Sequence, residues 1–454
     1  MDRILTAAVT TDHSEQTARD ENLRHSMVDA ACFGGMVGCG ESYFPAFALA
    51  IGLGETAAGL VASLPLLVGG ALQLISPAAI RWIGGLRRWV VAGAVLQALA
   101  FAPLAVAAWH GELSLTALLL IASVYWAAGL ATGPAWNTWM EHVVPQQGRA
   151  RFFTSRSRLQ QACTFALLLV AGLILQWASM NGLTSKAFAL LFCLAGLLRL
   201  SSASYLQRTQ SDRQLSGGSA PVLPADSSAQ ANQPVSQAAK RLLVYLVCMQ
   251  AFIQVSGPFF APYMLKQLHF GYGTYVSLMS IAFISKVLSM AFWGRVAERY
   301  SANRVLWIGG IGLIPLSALW IVSSNVVWLG LMQVVSGIAW AAYELGFFLM
   351  FFETLPAGQR TRLLTYYNFA NAAAVCVGAV TGAVILSSLG CESQIYYLLF
   401  GISSVGRMLC LGLLVGIAVP THRLKSIGLR ILSVRPGAGS VVSPIMASQQ
   451  RSDP

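Results

Sequence analysis

Charge is what this sequence has least of. Only 10% of its 454 residues are Asp, Glu, Lys or Arg, and 56% are hydrophobic. Soluble domains carry about 25% charged residues, so the deficit excludes a soluble protein. Cysteine patterning is missing too. The eight cysteines are scattered, with no CxxC or Cys/His spacing, so they are read as small apolar packing residues and not as a metal site. No Gly-rich loop ending in Lys-Ser/Thr is present, which excludes nucleotide-powered work by this chain. No Ser/His/Asp, His/Glu or Cys/His constellation suggests an enzyme, and no cofactor is expected. The polar segment from Met1 to Ser26 has no short apolar core before a small-residue cleavage site, so it is not read as a signal peptide.

The net charge is +12. In a soluble chain that would suggest nucleic acid. Here it reflects the collection of Lys and Arg in cytoplasmic loops, and no nucleic-acid partner is expected. Apolar stretches long enough to cross a bilayer recur at 27–52, 56–80, 89–109, 114–138, 158–179, 184–206, 241–265, 273–296, 304–323, 325–352, 363–389 and 393–420. Each approaches the roughly 20 residues that a transmembrane helix needs. The expectation is an all-α membrane protein of twelve helices. Residues 1–26 form an N-terminal tail, 27–206 one six-helix bundle, 207–240 a Ser-, Gln- and Pro-rich linker, 241–420 a second bundle and 421–454 a polar tail.

The basic residues set the orientation. Lys186 and Lys266 are the basic residues of the loops after odd-numbered spans, and Arg199, Lys286 and Arg407 fall within spans. All the other basic residues lie in the tails or in the loops after even-numbered spans. The positive-inside rule then puts both termini in the cytoplasm, in a bacterial inner membrane.

The halves repeat each other. "VPQQGRARFFT" after the fourth span and "LPAGQRTRLLT" after the tenth share P-x-x-x-R-x-R-x-x-T, which aligns Arg149 with Arg360 and Arg151 with Arg362. "LLFCLAGLLR" matches "LLFGISSVGR", aligning Arg199 with Arg407. "YFPAFAL" matches "FFAPYML", which sets Glu41 opposite Gly257. Two parallel six-helix repeats are a transporter architecture. The loop "GRVAERYSANR" resembles the cytoplasmic signature of the major facilitator superfamily, Gly-x-x-x-acid-Arg followed by further basic residues. The resemblance implies that Gly294, Glu298, Arg299 and Arg304 form a cytoplasmic charge clamp, with Arg81, Arg149, Arg151, Arg360 and Arg362 as basic partners. The first-half copy, "SPAAIRWIGGLRR", lacks the acid: Ile80 stands in its place. The fifth span lacks the Gly-Pro motif of this family's drug–proton antiporters.

Membrane-embedded charges are the candidate functional groups. Glu41 lies about 14 residues into the first span, near the bilayer midplane at roughly 1.5 Å per residue. The resemblance implies that the first, fourth, seventh and tenth helices line a central cavity, which makes Glu41 and Glu344 candidate proton-coupling residues. Asp29 is a weaker third, equally read as an acid at a helix N-terminus. Candidate cavity residues are Lys286, Gln250, Gln254, Trp126, Asn137, Asn368 and Asn371. For each of these acids, pairing with a buried base such as Lys286 or Arg407 is the plain structural alternative. Arg199 is expected to snorkel to the cytoplasm. Gly34-x-x-x-Gly38 and Gly378-x-x-x-Gly382 fit the small-xxx-small pattern of close helix crossings. The function expected is proton-coupled secondary transport of a small solute by a monomer. An uncoupled facilitator and a non-transporting receptor on the same fold are the alternatives.

Overall fold

In lipid a chain must satisfy its backbone within itself, and for long apolar runs the helix does so. The computed structural model describes residues 2–73, 75–144, 149–209, 237–354 and 360–415. Linker residues 210–236 and the tail 421–454 lie outside the described residues. Among those described, eleven helices are long and apolar enough to cross a membrane. The first span completes the dozen: it is divided at Gly40 and carries Asp29 and Glu41.

In the first half, span one runs as helix Asp2–Cys39, a 3-10 turn Glu41–Tyr43 and helix Phe44–Ala50. Span two comprises Glu55–Val61, Leu64–Gln73 and Ser76–Ile83. Spans three to six are Leu86–His110, Leu115–Val143, Arg149–Met180 and Thr184–Arg208. In the second half, span seven is Gln237–Ser256, then a 3-10 turn Gly257–Phe259 and a π turn Tyr263–Gln267. Span eight is Tyr272–Arg299, and span nine is Ala302–Leu313 continued by Pro315–Val322. Spans ten to twelve are Val326–Thr354, Arg360–Leu389 and Ser393–Cys410.

One expectation changes here. The segment expected as an N-terminal tail is helical and runs into the first span without a break. Residues 2–33 contain neither Gly nor Pro, so nothing in them ends the helix.

The repeat is visible in the packing. Span one packs on five as seven packs on eleven; three on six as nine on twelve; two on four as eight on ten. The glycine pairs explain two of these crossings. A Cβ at Gly34 or Gly38 would lie 2.2 or 2.3 Å from the backbone oxygens of Gln160 and Thr164 in span five. At Gly378 and Gly382 it would lie 2.1 and 2.3 Å from those of Ala251 and Val255 in span seven. Only glycine lets these backbones approach so closely.

Between the halves, span five meets eight and span two meets eleven. Midway along the first contact, Phe165 and Phe283 stack with ring centres 5.2 Å apart and planes 9° from parallel. Buried apolar residues near the odd-numbered loops form one cluster drawn from both halves, including Tyr43, Phe47, Phe259, Val276 and Tyr396. Near the even-numbered loops they form two separate clusters, one of second-half and one of first-half residues. Among the described residues, the halves therefore share one apolar core at one end and keep separate cores at the other.

Candidate functional site

The two 3-10 turns occupy equivalent places, with Glu41 the first residue of one and Gly257 the first of the other. Proline makes both breaks. Pro45 and Pro258 have no N–H to offer the carbonyls four residues back, those of Glu41 and Gln254. The chain tightens instead: Phe44 N–H donates to the Glu41 carbonyl and Phe260 N–H to that of Gly257. The Ser42 hydroxyl donates to the Val37 carbonyl at 2.8 Å, which repairs the preceding turn.

Both breaks border a cavity of about 240 Å³ between the halves. Glu41, Ser42, Phe44 and Trp126 line it from the first half, and Gln254, Lys286, Gln333, Trp340 and Arg407 from the second. Glu41 is 8% exposed. Its carboxylate accepts a 2.6 Å hydrogen bond from the Tyr125 hydroxyl, and the Tyr125 ring is held edge-on by Phe44, Phe101 and Trp126.

Of the residues expected on the cavity, Trp126, Gln254 and Lys286 are there. Glu344 is not among the lining residues: it is buried and bound to Lys286 Nζ at 2.5 Å. Lys286 lines the cavity and Glu344 does not, so the pair matches the structural alternative set out above. Gln250, Asn137, Asn368 and Asn371 are likewise absent from the described lining. Gln250 and Asn137 lie further along spans seven and four than the residues that line it, and span eleven, which carries Asn368 and Asn371, contributes no described lining residue.

Asp29 is not an acid at a helix N-terminus. The helix begins at Asp2, so Asp29 has no free backbone N–H nearby to favour its charge. It accepts instead from Arg156 Nη2 at 2.6 Å and from the Ser202 hydroxyl at 2.7 Å. Arg199 does not snorkel. It is 6% exposed and donates to Ser202 at 2.7 Å and to Gln97 Oε1 at 2.6 and 2.9 Å. Gln97 Nε2 in turn donates to the Tyr125 carbonyl at 3.2 Å. A polar chain thus runs through the first half from Asp29 to the residue that holds Glu41. Arg156, expected in a loop, supplies one end of it.

The second-half equivalent differs. Arg407 is 3% exposed and reaches the Leu313 carbonyl and the Ser256 and Ser403 hydroxyls at 2.8, 3.1 and 2.9 Å. The sealed end also holds polar contacts that sequence reasoning missed. Glu55 accepts from Gln267 at 3.0 Å and from the Tyr396 hydroxyl, and the Gly273 N–H donates to Gln176 at 2.9 Å, all between halves. Glu55 opens the second span beside a loop, so in sequence it resembles an ordinary surface acid.

The family model described as Major Facilitator Superfamily matches residues 30–379 and again 242–436. The chain belongs to the major facilitator superfamily. Its members are transporters, not enzymes. Among solved structures it is similar to a bacterial homologue of the iron transporter ferroportin in an inward-facing state, with 16% identity and a TM-score of 0.66 over 88% of this chain and 98% of that one. It is also similar to a mutant of the nucleoside transporter NupG, with 15% identity and a TM-score of 0.62 over 87% and 99% of the two chains. An auto-inhibited POT family peptide transporter aligns at 11% identity with a TM-score of 0.65 over 86% and 96%. At these identities the likeness is one of fold. No match was found among curated proteins.

Of this superfamily member's signature loop, Gly294 is buried, and Arg299 and Arg304 are at the ends of spans eight and nine beside the Tyr300 ring. Ser301 caps span nine by accepting from the Arg304 N–H at 3.3 Å. Arg81 is exposed. The side chains of Glu298, Arg149, Arg151, Arg360 and Arg362 lie outside those described.

Proposed function

We propose that this superfamily member is a proton-coupled secondary transporter that moves a small solute by rocking its two bundles about the cavity, with Glu41 as the coupling residue. One observation carries the reading. Glu41 is a buried carboxylate on the cavity wall, at a helix break, held by a tyrosine hydroxyl. A phenol stabilises the ionised carboxylate as a donor and accepts from the protonated one, so the site tolerates both states. Glu344 and Lys286 then act as a fixed pair, and Asp29 as an anchor of the first bundle.

The distribution of Lys and Arg supports cytoplasmic termini in an inner membrane. On that orientation the separated end faces the cytoplasm, and this is an inward-facing state. Both small-xxx-small motifs are used in crossings within a bundle, which supports a monomer as the working unit.

The test is transport in proteoliposomes, with the solute first found by thermal-shift screening of a metabolite library. An inward proton gradient should drive accumulation by the wild type. Glu41→Gln should keep solute exchange and lose the response to the gradient. Unchanged gradient-driven accumulation in the variant would refute the assignment.

A further inference from the structure

Buried cations in a membrane need counter-charges. Arg156 has Asp29, Lys286 has Glu344, and Arg199 reaches Asp29 through Ser202. Arg407 forms no ion pair among the described residues. Its hydrogen-bond partners among the described residues are one carbonyl and two hydroxyls, all neutral, and its Nε–H has no acceptor there. A guanidinium has five N–H donors, and this one has donors to spare. Arg407 is 3% exposed, and it borders the cavity. It also sits against the helix break of span seven, through Ser256, the residue before Gly257. An unsatisfied buried charge that faces a ligand-sized space is half of a binding site.

We propose that Arg407 is the anion-binding residue of the cavity, and that the transported solute carries a carboxylate that docks on its guanidinium. Three observations favour a carboxylate over a phosphate. The cavity is small, about 240 Å³. Its other cation, Lys286, is already committed to Glu344. Its remaining wall is largely aromatic and apolar. One planar fork suits one planar carboxylate. Removal of Arg407 leaves Ser256 and Ser403 bonded, because Ser256 donates to Ser403 at 2.9 Å and Ser403 to the Phe252 carbonyl at 2.6 Å. The scaffold gives up one contact with the guanidinium that these hydroxyls do not replace, at the Leu313 carbonyl. The assignment rests on the transporter reading but not on proton coupling through Glu41.

The test uses the purified full-length protein and a panel of small aliphatic, aromatic, hydroxy and amino carboxylic acids. Their neutral amides, inorganic phosphate and small organophosphates serve as comparisons. Quenching of the cavity tryptophans Trp126, Trp320 and Trp340 reports binding. At least one carboxylate should bind the wild type and its amide should not. Arg407→Lys should weaken that binding at least tenfold, and Arg407→Met should abolish it while the unliganded melting temperature stays the same or rises. Binding is read in detergent with no proton gradient, so coupling through Glu41 plays no part in the readout. A failure of coupling is thereby separated from a failure of this site. Four results would overturn the proposal: a panel with no carboxylate ligand, amides binding as well as acids, undiminished binding by Arg407→Met, or Arg407-dependent binding of phosphates alone. A sharp fall in the melting temperature of unliganded Arg407→Met would also overturn it, by making the arginine structural.

Discussion

Arg199 and Arg407 stand at equivalent places in the two bundles, yet they do different work. Arg199 is enclosed by Gln97, Ser202 and the Asp29–Arg156 pair, and together these tie spans one, three, five and six into one unit. Arg407 borders the cavity with donors unused. The breaks in spans one and seven show the same division. Their geometry is shared, but one begins with a carboxylate and the other with glycine. Symmetry in this molecule belongs to the scaffold, and asymmetry to the polar groups it carries.

The largest effect that would break this contrast is on stability. Asp29→Ala leaves Arg156 buried without its carboxylate, which should cost about 3–5 kcal/mol. Arg407→Met should cost little or nothing. Chemical denaturation of both variants in detergent makes the comparison, and equal losses would mean that the two arginines are equally structural.

A smaller effect probes the shared scaffold. Gly38→Ala and Gly382→Ala each force a methyl to within 2.3 Å of a facing backbone oxygen. Each should cost about 1–3 kcal/mol. Closely similar losses are expected, because the two crossings are symmetric. A large disparity would show that the bundles pack differently despite their common geometry.

The smallest effect concerns the sealed end. Contacts of Glu55 with Gln267 and Tyr396 exist only while the halves are joined there. Glu55→Gln should weaken that state by about 1 kcal/mol, roughly a fivefold change in population. Distances measured between spin labels on the two bundles should shift toward the state open at that end. An unchanged distribution would show that apolar packing alone holds the seal.

The spans, the repeat and the register of Glu41 against Gly257 were legible because hydropathy and the matched segments follow the chain in order. The close glycine crossings were legible for the same reason. What the sequence could not display was depth along each helix and which spans border the cavity. Glu344 continues the stripe of Gln333, Gly337 and Trp340 but lies beyond the cavity, where it meets Lys286, a partner 58 residues away on another span. Asn137 lies about three turns along span four from Trp126, and Asn368 and Asn371 belong to span eleven, which contributes no described lining residue. Asp29 was misread because the helix start was expected near Met27, whereas no glycine or proline ends the helix before Asp2. The alignment of Arg199 with Arg407 records position and not neighbours. Neither has an acid three or four residues away on its own helix, and only the fold shows that Arg199 reaches Asp29 through Ser202.

The stacked rings of Phe165 and Phe283 lie where the bundles touch at mid-height. Flat, parallel faces can slide over each other with little change in contact, unlike a hydrogen bond or a methyl seated in a groove. Such a joint behaves as a bearing. In this state it joins the bundles without a directional bond. The preference between the two tilts must then be written at the rims, where Glu55 and the arginine loops sit. Substitutions at the rims should retime the transport cycle, while those at the bearing should roughen it.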